Sequence, residues 1–139
     1  MGTPEFSIPT LEALIKNKFN VVSVYTQPPN KSKRGHKINP SPIQEFCSKN
    51  KINFINPLNL NSEEEFENFK KLSPDIVIVV AYGQIIPKKF LNIPKFGFIN
   101  IHASLLPKWR GAAPIQRAII NGDKKIGVSI MKIEEKLDS

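Results

Sequence analysis

Cysteine is almost absent from this chain: Cys47 is the single one. No intrachain disulfide can form, and the thiol content gives no sign of an exported, cross-linked scaffold. Histidine and tryptophan are scarce too, at two and one. His36, His102 and Cys47 lie too far apart in sequence to compose a recognisable metal site. No apolar run approaches the roughly 20 residues of a membrane-spanning helix. The opening Met1-Gly2-Thr3-Pro4-Glu5 lacks the basic-then-apolar order of a secretory leader, so the cytoplasm is the expected compartment. Glycines number only 7. None of them builds a Gly-x-Gly-x-x-Gly or Gly-Lys-Ser/Thr phosphate loop, which argues against a generic nucleotide-binding domain.

What is present fits one soluble domain. The chain has 139 residues, 40% hydrophobic and 23% charged, enough to bury a core and too apolar for global disorder. The formal net charge is +8. A basic balance suits nucleic acid or another polyanion. Richness in Lys, Asn and Ile offers codon usage as an equally good explanation, so the placement of the basic residues counts for more than their sum.

Strand-like and helix-like runs alternate. Ile8, Leu11, Leu14 and Ile15 recur at helical spacing, with Pro9 in the first turn, predicting a helix over 8–17. Val21 to Tyr25 is β-branched and aromatic and reads as a strand. A Pro-rich loop over 26–42 follows, then a helix over 42–50 and a short strand near 52–55. Cys47, beside Phe46, reads as a packing residue. Ser62-Glu63-Glu64-Glu65 has capping-box spacing ahead of a helix with Phe66, Phe69 and Leu72 on its apolar side. Asp75 to Val80 is a continuous apolar run, as in a parallel strand buried on both faces. Gly97 to His102 and Ile126 to Met131 read as further strands, and Pro114 to about Asn121 as a helix. The alternation predicts an α/β fold, Rossmann-like, with a mostly parallel sheet and flanking helices. Ligands of such sheets sit beyond the carboxyl ends of the strands, where Ala81-Tyr82-Gly83 and Asn100 to Pro107 arrive.

Asn100 and His102, two apart on one strand, share a face. An amide can hydrogen-bond a developing oxyanion, and an imidazole can donate or accept a proton near neutral pH. By spacing alone such a pair is more often structural than catalytic. Lys31-Ser32-Lys33-Arg34-Gly35-His36-Lys37 concentrates positive charge that attracts phosphates, although short charge runs are usually solvated loops. His36 within it reads as solvated.

The strings carry more than spacing does. Asn100-x-His102-x-Ser104-Leu105-Leu106-Pro107 resembles the signature of the folate-dependent formyltransferases. Trp109 to Arg117 resembles the methionyl-tRNA branch of that family in particular. So do Gly2-Thr3-Pro4-Glu5-Phe6, Thr26-Gln27-Pro28, Arg34-Gly35, Pro40-Ser41-Pro42, Val79 to Gln84, and Leu137-Asp138. The likeness runs through all 139 residues. It departs around Arg34, where Pro29 to Lys33 and His36 replace the usual residues.

This resemblance implies a formyltransferase fold and the transfer of a formyl group from 10-formyltetrahydrofolate to the α-amino group of methionyl-initiator-tRNA, with no metal. The alternatives are a related transferase acting on a glycinamide nucleotide or an amino sugar, and a tRNA-binding remnant without catalysis. Asn100, His102 and Asp138 are the implied catalytic residues. Asn100 bonds the formyl oxygen, while His102 stabilises the reacting centre and helps protonate the departing nitrogen. Asp138 orients His102 and favours its charged form. Ser104, Leu105, Leu106 and Pro107 are implied at the folate carrier, together with Ala81, Tyr82, Gly83 and Ile85. Lys33, Arg34 and Lys37 are implied at the tRNA. The family is expected to be monomeric. Residues 1–139 match part of its catalytic domain. The family's first strand, central in the sheet, and its C-terminal tRNA-binding β-barrel lie outside them. The 139 residues alone are therefore expected to be of low stability and inactive unless a partner chain supplies the rest.

Overall fold

Serines and prolines start the helices. In the computed structural model, which describes residues 1–31, 38–103, 119–122, 125 and 127–134, a 3-10 turn over Glu5–Ser7 leads into helix α1, Ile8–Lys16, with Pro9 in its first turn. Helix α2, Pro42–Lys49, is capped by Ser41, whose hydroxyl accepts from the Gln44 N–H at 3.0 Å. Helix α3, Glu63–Leu72, is capped likewise by Ser62, which accepts from the Glu65 N–H at 3.1 Å. Three glutamates occupy its first turn and Lys70 and Lys71 its last, each sign at the helix end that favours it. The short helix α4 spans Lys88–Leu91.

The strands are β1, Val24–Tyr25; β2, Asn30–Lys31; β3, Ile38–Asn39; β4, Phe54–Ile55; β5, Val77–Val79; β6, Phe98–His102; and β7, Ser129–Lys132. Strand β1 pairs in parallel with β4, and β5 in parallel with β6. Strand β7 adds antiparallel to β6. Strands β2 and β3 form an antiparallel ladder of two residues each at the base of the basic loop. The expected helix over 114–121 falls mostly outside the described residues; Ile119 and Ile120 are helical.

The first two residues stitch the sheet together. The Gly2 N–H donates to the Tyr25 carbonyl at 2.9 Å, and Gly2 forms a parallel bridge with Val80. The Val80 N–H donates to the Met1 carbonyl at 2.9 Å, and the Met1 amine to the Ile78 carbonyl at 2.8 Å. The order is thus β4, β1, the Met1–Gly2 stub, β5, β6, β7. A Cβ at Gly2 would lie 2.7 Å from that of Ser7, so only glycine fits where the stub threads between its neighbours.

Successive β1 side chains feed two cores. Val24 joins Leu11, Ile43 and Cys47 beneath α1 and α2. Tyr25 joins Leu60, Phe69, Val77, Val79, Tyr82, Phe90 and Phe98 beneath α3 and α4. Phe69 is the hub of the second core, its ring centroid 4.9 Å from Phe90, 5.9 Å from Phe98 and 6.2 Å from Tyr25. Helices therefore cover both faces of a sheet whose central pairings are parallel, as the alternation predicts.

Two expectations need correction. The Asp75–Val80 run is not buried throughout, since Ile76 is 40% exposed. Ile76 lines a cavity of about 520 Å³ that separates Val21–Tyr25 from Asp75–Val80 beyond the stub. Val21 to Ser23, which line the same opening, lie outside β1, whose pairing with β4 begins at Val24.

Candidate active site

The parallel pairing register levels the ends of two strands. Val79, the last residue of β5, sits opposite Asn100 of β6, and β6 continues to His102, opposite Ser129 of β7. Asn100 and His102 thus leave β6 on one face, at its carboxyl end, held by a neighbour strand on at least one side. His102 is buried and Asn100 half-buried, and each has an interaction within the fold.

The chain beyond β5 supplies the adjoining wall. Extending the register puts Ala81 level with His102. Ala81 has φ +49, a left-handed conformation costly for a residue with a Cβ. Gly83 has φ +85, and a Cβ there would collide with the Gln27 side chain. Between them Tyr82 turns its ring into the core. Burial, then Tyr25 and Glu65, push the Tyr82 phenol well above its ordinary range, so it acts as a neutral hydrogen-bonding group. It donates to the Gln84 side-chain Oε1 at 3.2 Å. Tyr25 is pushed up to about 12, by burial and then Glu65.

Polar side chains fasten the loops at this end to one another. The Thr3 hydroxyl donates to the Tyr82 carbonyl at 2.7 Å and accepts from the Gln27 N–H at 3.3 Å. The Thr26 and Ser41 hydroxyls lie 2.6 Å apart, both buried. The Gln84 amide donates to the Pro57 carbonyl at 2.9 Å and the Leu58 carbonyl at 3.3 Å. Leu58 and Ile85, nearly fully exposed, stand on the two loops that Gln84 joins. Thr3, Gln27 and Gln84 were not singled out by side-chain chemistry in the sequence. They enter the sequence reading only within the strings that carry the family resemblance.

The formyl transferase family matches residues 1–139. The chain belongs to this family. It is 59% identical over 140 residues to the methionyl-tRNA formyltransferase of Pelagibacter ubique, covering 100% of this chain and 45% of that protein. It is 52% identical over 138 residues to the namesake of Coxiella burnetii (strain RSA 331), covering 99% of this chain and 44% of that protein. The chain thus spans less than half the length of these curated relatives. Among solved structures, phosphoribosylglycinamide formyltransferase from Bacillus halodurans superposes with a TM-score of 0.73 at 24% identity, covering 99% of this chain and 72% of that one. A formyltetrahydrofolate deformylase from Pseudomonas syringae superposes at 0.69 and 20% identity, covering 99% and 45%. These two likenesses establish the formyltransferase fold.

Within this formyltransferase chain, Asn100 and His102 come together at one strand end, beside the segment holding Ala81, Tyr82, Gly83 and Ile85. Asp138, Ser104, Leu105, Leu106 and Pro107 lie outside the described residues, as do Lys33, Arg34 and Lys37. No cluster of His, Cys, Asp and Glu able to hold a metal occurs among the described residues. No helix among them is long and apolar enough to cross a membrane.

Proposed function

We propose that this chain is the amino-terminal catalytic part of an enzyme that transfers the formyl group of 10-formyltetrahydrofolate to the α-amino group of methionyl-initiator-tRNA. The observation that carries the reading is the shared exit of Asn100 and His102 from β6, level with the end of β5. The identity to methionyl-tRNA formyltransferases supports this branch of the family.

The donor brings the formyl carbon and a nitrogen leaving group. The Asn100 amide donates to the formyl oxygen as negative charge gathers there. His102 stabilises the same centre and hands a proton to the departing nitrogen. Asp138 orients His102. The incoming amine needs little activation, because an α-amino group with a pKa near 8 is partly neutral at pH 7. The chain's main task is then to hold the reacting groups in place. Ser104 to Pro107, with Ala81 to Gly83 and Ile85, form the donor's pocket. Lys33, Arg34 and Lys37, which lie between β2 and β3 in sequence, meet tRNA phosphates. The enzyme is monomeric and works in the cytoplasm.

The test joins residues 1–139 to the remaining part of the Pelagibacter relative and measures formylation of charged initiator tRNA. Turnover is expected, and Asn100→Ala or His102→Ala should each lower kcat/KM by about 10²- to 10³-fold. Equal rates with either variant would remove both residues from the chemistry. Preference for a glycinamide nucleotide or an amino sugar over the tRNA would move the chain to another branch.

A further inference from the structure

Three stretches of chain, far apart in sequence, meet at Thr3. Its hydroxyl donates to the Tyr82 carbonyl at 2.7 Å and accepts from the Gln27 N–H at 3.3 Å. A hydroxyl carries one proton and two lone pairs, so this direction of bonding satisfies both partners. The Thr3 carbonyl accepts in turn from the Ile43 N–H at 3.4 Å. Gln27 and Ile43 flank the stretch that carries Lys33, Arg34 and Lys37, one at each root. The buried Thr26 and Ser41 hydroxyls, 2.6 Å apart, pin the same two roots to each other. Ser41 also caps α2 through the Gln44 N–H. The third stretch follows β5. There Tyr82 stands between Ala81 at φ +49 and Gly83 at φ +85. A left-handed alanine persists only where its surroundings hold it, and the bond from Thr3 to the Tyr82 carbonyl is one such hold. The Gln27 side chain lies over Gly83, close enough to exclude a Cβ there. Gln27 thus meets Thr3 through its backbone and the Ala81–Gly83 segment through its side chain.

We propose that Thr3 is a positioning residue for both substrates at once: it sets the donor segment Ala81–Gly83 and the two roots of the basic stretch in one register, and so places the formyl donor and the tRNA relative to each other. This role rests on the formyl-transfer function proposed above. Thr3 acts through its neighbours rather than by touching a reacting atom. Transfer between two bound groups tolerates little displacement of either, so a single bracket shared by both sites is an economical way to keep them aligned. Loss of the hydroxyl leaves a carbonyl unpaired in the donor segment and an N–H unpaired at one root of the basic stretch. The damage therefore reaches both sites together, whereas loss of a direct contact would reach only one.

The test uses the chimaeric enzyme with Thr3→Val, which keeps the side-chain shape and loses the hydroxyl, and Thr3→Ser, which keeps the hydroxyl. In Thr3→Val the KM for 10-formyltetrahydrofolate and the KM for charged initiator tRNA should each rise about 2- to 10-fold, the worth of one net hydrogen bond apiece. Thr3→Ala, which also lacks the hydroxyl, is the second variant and should raise both KM values likewise. Thr3→Ser should return both KM values to within about twofold of the parent. Phe69→Leu is the control for a merely structural role: it loosens the larger core away from Thr3, and should lower Tm while leaving both KM values unchanged. If Thr3→Val and Thr3→Ala lower Tm and the active fraction but keep both KM values, Thr3 is an ordinary structural link and the proposal is overturned. A rise in only one KM, or a serine variant no better than valine, would overturn it too. A parent chimaera that does not formylate charged initiator tRNA removes the functional reading itself, and this role with it. A parent that does so, with unchanged KM values in Thr3→Val, removes this role alone.

Discussion

Prepared as a separate polypeptide that starts at Met1, the 139 residues should be sensitive to mild acid through the Met1 amine. Although Met1 as a whole is only half-buried, its amine sits within the sheet against the Ile78 carbonyl. Burial lowers its pKa from 8.0 to about 5. The unfolded chain holds that proton up to pH 8, while the folded chain releases it above about 5. Between these values the unfolded state binds more protons, so stability rises with pH. The contribution is complete above pH 8, declines as pH falls through the window, and is gone below about 5. Three pH units correspond to about 4 kcal/mol. Because the adjoining cavity admits water, this is the upper limit. The measurement is urea unfolding at pH 5, 6, 7 and 8, run beside a chain acetylated on the Met1 nitrogen. Acetylation removes this titration and leaves every other one. The difference between the two chains should change by up to about 4 kcal/mol across the window. Parallel curves would refute the buried, neutral amine.

Phe69→Ala should cost about 3–5 kcal/mol in urea unfolding, because its ring meets three other aromatic rings in the larger core; Phe69→Leu should cost less. Gly83→Ala should destabilise by more than about 1 kcal/mol, through its φ of +85 and collision with Gln27, whereas Ala81→Gly, at φ +49, should stabilise by up to about 1 kcal/mol in thermal melts. Replacing Lys33, Arg34 and Lys37 together by alanine in the chimaeric enzyme should weaken tRNA binding and flatten its dependence on salt by about three phosphate contacts; an unchanged salt slope would take the loop off the tRNA.

The parts legible in sequence are those set by short-range chemistry. Ser62 announced its helix because a side-chain acceptor must meet an orphan N–H within three residues. The apolar run at Val77–Val79 announced a parallel strand because both its faces are covered. Asn100 and His102 were legible as a same-face pair, since the strand period alone decides that. The link from Thr3 to Tyr82 was not legible, because nothing in either neighbourhood reports a partner 79 residues away. Nor was the exposure of Ile76, which depends on what lies beside it in the sheet rather than on its own run. The β2–β3 ladder went unforeseen as well, because two residues per strand are too few for a period to register.

Thr3 also bears on the order in which the molecule assembles. Its hydroxyl ties the Tyr82 carbonyl to the start of the chain, and the Met1 amine reaches Ile78 across a similar span. Contacts that distant demand their loop-closure entropy before they return any enthalpy. The helices and their caps can form early from neighbours alone. The Ala81–Gly83 segment beside Asn100 and His102 is fastened only once both ends of that long span have met.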